Sequence, residues 1–249
     1  MEWTDQAVIL GVRKHGETGV IAELMTRGRG RHLGLVHGGR SRTQRAALQP
    51  GNSVTATWRA RLDDHLGTFK LEVTEFRSSR IMESAHAVYA LQTLASHLRL
   101  LPERQSHLRL YEVAQIVLDT LDQPALAAEA IIRLELMMLD ELGFGLDLSA
   151  CAATGTRNNL HYVSPKTGRA VGETAGQPWA DRLLTLPSFL LPNDHPRSSA
   201  AEWDDLNSGF VLTGFFLNRH IHNPRGLDMP SERASLIRSV EKALEGRAR

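Results

Sequence analysis

Ser53-Val54-Thr55-Ala56-Thr57-Trp58-Arg59-Ala60-Arg61-Leu62 carries the clearest period-two pattern in the chain. Val54, Ala56, Trp58, Ala60 and Leu62 point one way, and Ser53, Thr55, Thr57, Arg59 and Arg61 the other, as in a half-buried strand. Four more runs flank it. Val8, Leu10 and Val12 alternate with Ile9, Gly11 and Arg13 as far as the turn at His15-Gly16-Glu17. Val20 to Thr26 ends at Arg27-Gly28-Arg29-Gly30, and Arg31 to His37 ends at Gly38-Gly39. Further on, Phe69, Leu71 and Val73 oppose Lys70, Glu72 and Thr74. Five short strands with glycine-rich turns and no intervening helix predict a small closed or sandwiched β-domain over residues 1–80. Its strand count and length suit a five-stranded OB-type barrel and an SH3-like barrel equally.

From about Glu83 the period lengthens to 3.6. Val88, Leu91, Ala95 and Leu98 share one helix face, and Pro102 follows. Ser106 is placed to cap a helix bearing Leu110, Val113, Val117 and Leu121. Pro124 suits the first turn of the next helix, which buries Ala127, Ile131, Leu134 and Met138 before Gly143. Residues 147–180 lose the period and read as a loop-rich insert. Helical spacing returns from Trp203 to His220, breaks at Pro224-Arg225-Gly226, and resumes after Ser231. The expected architecture is α+β: a β-domain over 1–80, then an all-helical domain over 81–249 interrupted by the insert.

The chain has 249 residues, 42% of them hydrophobic and 23% charged, as in an ordinary folded protein. One cysteine excludes an internal disulfide framework and a four-cysteine zinc or iron–sulfur site. No run approaches the ~20 apolar residues of a membrane helix. The acidic start Met1-Glu2-Trp3-Thr4-Asp5 is unlike a signal peptide, so a cytoplasmic protein without membrane contact is expected.

Few patterns point to catalysis. No G-x-x-x-x-G-K-[ST] or G-x-S-x-G stretch occurs. Gly28 to Gly34 misses the dinucleotide fingerprint by one residue and leads into a strand, so its glycines read as a hairpin turn. His220 and His222 diverge on a helix, and Cys151 has no motif-marked partner. A hydrolase built on Cys151 or His220 is the weakest reading. Asp63-Asp64 reads as a loop turn.

The uneven charge is more telling. Residues 1–80 hold thirteen Lys and Arg against eight Asp and Glu, whereas the remainder holds sixteen against twenty. Arg27, Arg29, Arg31, Arg40, Arg42 and Arg45 fall in one segment without an acid. Arg59 and Arg61 share a strand face, and Gly38 to Arg45 reads as a flexible basic loop. The aromatic residues Trp58 and Phe69 look inward. Phosphate-dominated, sequence-independent contact with nucleic acid is the chemistry this set predicts. A protein-binding adaptor that recognises acidic peptide tails is the alternative.

Several ordered stretches resemble the RecO family of bacterial recombination mediator and DNA repair proteins. They are Asp5 to Leu10 with Gly16-Glu17-Thr18, then Gly38-Gly39-Arg40-Ser41-Arg42 with Leu48-Gln49-Pro50-Gly51. Arg133 to Leu139 runs into Leu142 to Leu148 and Cys151, followed by Tyr162-Val163-Ser164-Pro165 and Gly168-Arg169. The resemblance implies an OB-fold followed by a helical domain. It implies binding of single- and double-stranded DNA, annealing of complementary strands and work with RecR. Help in loading recombinase onto DNA coated by single-strand-binding protein is implied too, without ATP or another cofactor. Arg133 matches a family position near the surface that takes the coating protein's acidic tail. Many members carry a four-cysteine zinc site in the insert. Here Cys151 matches the first ligand, Thr154 stands at the second, and the later pair falls near Gly172 and Ala175. A degenerate, metal-free insert, packed around Tyr162, Val163 and Val171, is therefore expected.

Overall fold

The computed structural model describes residues 1–62, 64–191 and 200–246. The chain divides into two compact units, Met1–Asp122 and Gln123–Arg249. The first therefore reaches well past the last strand predicted for it.

Five strands build the first unit: β1 (Glu2–His15), β2 (Gly19–Thr26), β3 (Gly30–Val36), β4 (Ser53–Arg59) and β5 (Thr68–Glu75). They close in the order β1-β2-β3-β5-β4, and β1 pairs antiparallel with β4. β3 meets β5 in parallel at Leu35 and Thr68. In β4 the alternation holds: Val54, Ala56 and Trp58 are fully buried. They pack with Ala7, Ile9, Ala22, Leu24, Leu48 and Phe69.

Strand β1 departs from the even alternation. Its register against β2 shifts between Ile9 and Gly11, so Ile9 faces Leu24 while Val12 faces Ala22. An extra residue in one strand reverses which face the following side chains occupy. Ala7 and Ile9 lie in the core before this bulge, and Val12 packs against it afterwards.

The expectation of no helix among the strands is corrected by α1 (Arg42–Ala47), between β3 and β4. Three helices follow β5: α2 (Ser78–Met82), α3 (Ala85–Leu98) and α4 (Leu108–Asp119). His107, not Ser106, precedes α4 as its cap residue. The segment between α3 and α4 lies along the barrel wall. Arg99 Nε donates to Glu23 at 2.8 Å, and the Arg104 N–H donates to the Arg31 carbonyl at 2.8 Å. This belt explains why the first compact unit extends to Asp122.

The second unit opens with α5 (Pro124–Glu141), with Pro124 in its first turn. Gly143 beyond it takes the left-handed conformation, φ 86°. The expected loop-rich insert holds a small sheet instead. Its strands are β6 (Leu160–Val163), β7 (Ala170–Gly172) and β8 (Leu184–Thr185), in the order β7-β6-β8. A short α6 (Glu173–Gly176) and a 3₁₀ turn over Gln177–Arg182 join β7 to β8. Val163 is fully buried there, with Tyr162 and Val171 partly so.

Two longer helices complete the unit, α7 (Trp203–Leu217) and α8 (Ser231–Glu245). Between them the backbone widens to a π-helical turn at Asn218–His222. Arg233 of α8 donates to fully buried Glu135 of α5 through Nε at 2.7 Å and Nη2 at 3.0 Å. Thr213 of α7 donates to the same carboxylate, and Arg233 also donates to the Phe210 carbonyl at 2.7 Å. One ion pair thus ties three helices together. Among the described residues no helix is long and apolar enough to cross a membrane.

Candidate nucleic-acid interface

The segment read as a flexible loop is a capped turn of helix. Ser41 is extended, and its hydroxyl accepts the Gln44 N–H at 3.3 Å, which meets one of the donors left open at a helix start. At the far end Asn52 Nδ2 donates to the carbonyls of Ala46 and Ala47 at 3.3 and 3.1 Å. Leu48 then turns into the barrel and is buried. Gly39 allows the close approach: a Cβ there would lie 2.5 Å from Val20 Cγ2 and 3.1 Å from Leu48 Cδ1. Arg42 and Arg45 therefore stand on a fixed support, and Arg40 is held by its N–H to the Thr18 carbonyl at 3.2 Å.

Beside α1 lies a depression of about 370 Å³. Val12, Val20, Gly39, Leu48 and Pro50 line it, together with Lys14, Arg40, Arg45 and Gln49. Three cations and no acid border an apolar floor. Lys14 is the residue sequence reasoning missed. It pairs across β1 and β2 with Val20, two positions beyond Val12, so the bulge puts it on the same side as both. The expected alternation set Val12 with Val8 and Leu10, and the reversal at the bulge left no trace in it.

The eight arginines expected to contact nucleic acid do not form one cluster. Arg40 and Arg45 share the depression, and Arg42 is exposed on α1 between them. The Arg40 guanidinium also donates to the Glu17 carbonyl. Arg27 and Arg29 are exposed in the β2–β3 turn, at the opposite end of β3 from Arg40. Seven strand residues, roughly 20 Å, separate those two ends. Arg59 is exposed and 2.8 Å from Glu2, and Arg61 is exposed just beyond β4.

Arg31 requires correction as a phosphate ligand. Its side chain is only 13% exposed. It lies 3.0 Å from Glu23 and 3.5 Å from Glu103, and its Nε and Nη2 both donate to the Leu101 carbonyl at 3.3 Å. A guanidinium already neutralised and largely covered has little to offer another anion. Arg99 shares Glu23 with it, at 2.8 Å.

In the second unit Arg133 is 48% exposed and pairs with Glu129 at 3.0 Å. It also donates to the Phe189 carbonyl and lies 5.8 Å from the Phe189 ring centre. His220 stacks on Phe144 at 4.8 Å and 12°; burial first, and the Arg219 charge second, hold its pKa below the ordinary histidine value. Of the loop pair Asp63-Asp64, Asp63 lies outside the described residues.

Cys151 is buried, and its Sγ accepts the Gly172 N–H at 3.2 Å. Burial raises the thiol pKa. Hydrogen bonds from Thr154, from the Gly172 N–H and from the Thr154 and Ala153 backbone outweigh that and bring it to about 7. Among the described residues no group of three His, Cys, Asp or Glu side chains is placed to hold a metal. Cys151, Thr154 and Gly172 do meet in space, but one sulfur with a hydroxyl and a glycine does not fit a zinc ion that takes four N or S ligands.

Comparison with known proteins defines the class first. Residues 1–77 match the family model "Recombination protein O N terminal" and residues 80–227 match "Recombination protein O C terminal", so this is a two-part recombination protein. The chain belongs to the RecO family. It is 55% identical over 245 residues to the DNA repair protein RecO of Rhizobium etli CFN 42, covering 98% of this chain and 94% of that one. It is 56% identical over 242 residues to that of Mesorhizobium japonicum, covering 97% and 94%. With that of Agrobacterium fabrum it is 53% identical over 248 residues, covering 100% and 96%.

Proposed function

We propose that the chain is a recombination mediator that binds single- and double-stranded DNA through its first eighty residues and anneals complementary strands. With RecR it helps to load recombinase onto DNA coated by single-strand-binding protein, working in the cytoplasm. It does so without catalytic chemistry or a cofactor of its own. The observation that carries this reading is the acid-free depression of Lys14, Arg40 and Arg45 on a β-barrel in a RecO-family chain. We read the barrel as OB-type, because a helix stands between its third and fourth strands and its third and fifth strands close it in parallel. The helical part, residues 81–249, with its insert as a degenerate zinc-ribbon relic, serves partner contact.

The mechanism is electrostatic. Cations at the depression and on α1 neutralise phosphates of two strands, lower their mutual repulsion and raise their local concentration until pairing nucleates. Exposed Arg27, Arg29, Arg59 and Arg61 extend the track. No exposed aromatic side chain lines the depression, which favours backbone contact over base readout. Arg133, half exposed over Phe189, is the residue we assign to the coating protein's acidic tail.

The test is annealing of complementary oligonucleotides coated with the cognate single-strand-binding protein, without ATP. Acceleration that falls with salt is expected. No acceleration, with the coating protein still retained, would favour the adaptor for acidic peptide tails, for which the apolar floor beneath the cations is the supporting observation.

A further inference from the structure

Among the described residues of the second unit large exposed aromatic rings are few, and most are engaged. Phe144 stacks on His220, and Phe215 meets the Phe216 ring edge-on at 5.1 Å. Trp179 differs. It is 55% exposed, and a guanidinium, that of Arg182, lies 5.6 Å from its ring centre. Arg182 is itself 72% exposed, with the Asp181 carboxylate 3.8 Å from its Nε.

The mounting of Trp179 is rigid. Its 3₁₀ turn, Gln177–Arg182, is fastened to β6 at both ends. On the entry side Gly176 lies against Tyr162 so closely that a Cβ there would overlap the ring. On the exit side Leu184 and Thr185 pair with Val163 and Tyr162, and the Leu186 N–H donates to the His161 carbonyl at 2.8 Å. With the backbone held this way, only the two side-chain torsions of the indole remain to be ordered when something stacks on it. Residues 147–186 carry Arg157, Lys166, Arg169 and Arg182 against Asp147, Glu173 and Asp181, with Arg169 paired to Asp147 at 3.3 Å. The four cations are all exposed.

We propose that Trp179 and Arg182 form a base-stacking site for single-stranded nucleic acid, separate from the basic depression of the barrel. An unpaired base offers the indole a π-face, and its phosphate replaces Asp181, 3.8 Å away, as the partner of Arg182. An apolar protein surface laid on Trp179 would have to dehydrate Arg182 and Asp181, and an acidic peptide would leave the indole unused. In a strand-annealing protein, the role that rests on the proposed function, the site holds one strand by its bases while the barrel holds another by its phosphates.

The test uses the full chain with two ligands of equal length and charge, an oligo-dT and its abasic counterpart. Trp179→Ala should weaken oligo-dT binding roughly five- to a hundredfold and leave the abasic strand unchanged. Trp179→Phe should keep most of the affinity. Unaltered oligo-dT binding by Trp179→Ala would overturn the proposal, as would equal loss for both ligands. The barrel reading fails separately, if Lys14→Ala/Arg40→Ala/Arg45→Ala binds the abasic strand as the parent protein does.

Discussion

The side-chain oxygen of Asn52 accepts the backbone N–H of Arg77 at 2.9 Å. It also accepts the Ser78 N–H at 3.1 Å, while the amide nitrogen of the same side chain donates to the last carbonyls of α1. One fully buried amide therefore ends α1 and starts α2. Asn52→Ala strands buried donors and acceptors on both sides and should cost roughly 2–3 kcal/mol, measured by denaturant unfolding. Asn52→Asp keeps the acceptor half but sets a buried carboxylate oxygen against the Ala46 and Ala47 carbonyls, and should cost at least as much. Both should also weaken binding of single-stranded DNA, because α1 carries Arg42 and Arg45.

Salt dependence separates phosphate contacts from other arginines. Replacing Lys14, Arg40 and Arg45 by Ala should weaken single-strand binding regardless of base sequence. It should also flatten the log–log salt slope by about 2, from ~0.7 per phosphate contact. An unchanged slope would remove the depression from the DNA path.

Arg31→Ala should do the opposite. Glu23 and Glu103 would lose their shared partner inside the first unit, so stability should fall by roughly 1–3 kcal/mol. The salt slope of DNA binding should stay where it is. A thermal melt paired with a salt titration of one protein sample reads both.

In the second unit, Glu135→Ala leaves Arg233 charged and buried, and should cost about 3–5 kcal/mol. Joint replacement by Glu135→Leu and Arg233→Met should recover most of that loss, since apolar side chains of similar volume carry no desolvation penalty. A double variant no better than the single one would show that the hydrogen bonds to Thr213 and Phe210 matter more than the charges.

Cys151 should give stability a pH dependence. Its pKa is about 7 in the folded chain against an ordinary 9. The folded state therefore gains on the unfolded one as pH rises from 7 to 9, and that gain disappears as pH falls through 7. The stability gap between the parent protein and Cys151→Ala should be wider at pH 9 than at pH 6. Equal gaps would mean that the thiol stays protonated in its cradle.

Much of the architecture is legible in the sequence where packing repeats a simple period. Val54, Ala56 and Trp58 announce β4, and the same rule finds β5, whereas β2 and β3 are marked as runs ended by glycine turns. What escapes the period is short or shifted. Six residues of α1 are fewer than two helical turns, so only the cap at Ser41 hints at them. The strands β6, β7 and β8 have four, three and two residues, too few for an alternation to stand out. Lys14 was hidden by the β1 bulge. Arg31 looked like its basic neighbours because its acids come from Glu23 on β2 and from Glu103, seventy-two positions on. A charge count along the chain cannot see such partners.

The parallel seam between β3 and β5 bears on motion. Every other seam of the barrel is antiparallel and registered over seven or more residue pairs, whereas this one rests on Leu35 facing Thr68, with the Leu35 N–H on the Gly67 carbonyl at 3.0 Å. A short ladder with few bonds to break is where a closed sheet opens first. Amide protons along this edge should exchange ahead of those between β1 and β4. Folding should likewise zip the β1-β2-β3 meander and the β4–β5 hairpin before the ring is completed, which makes closure the late event in the life of the domain.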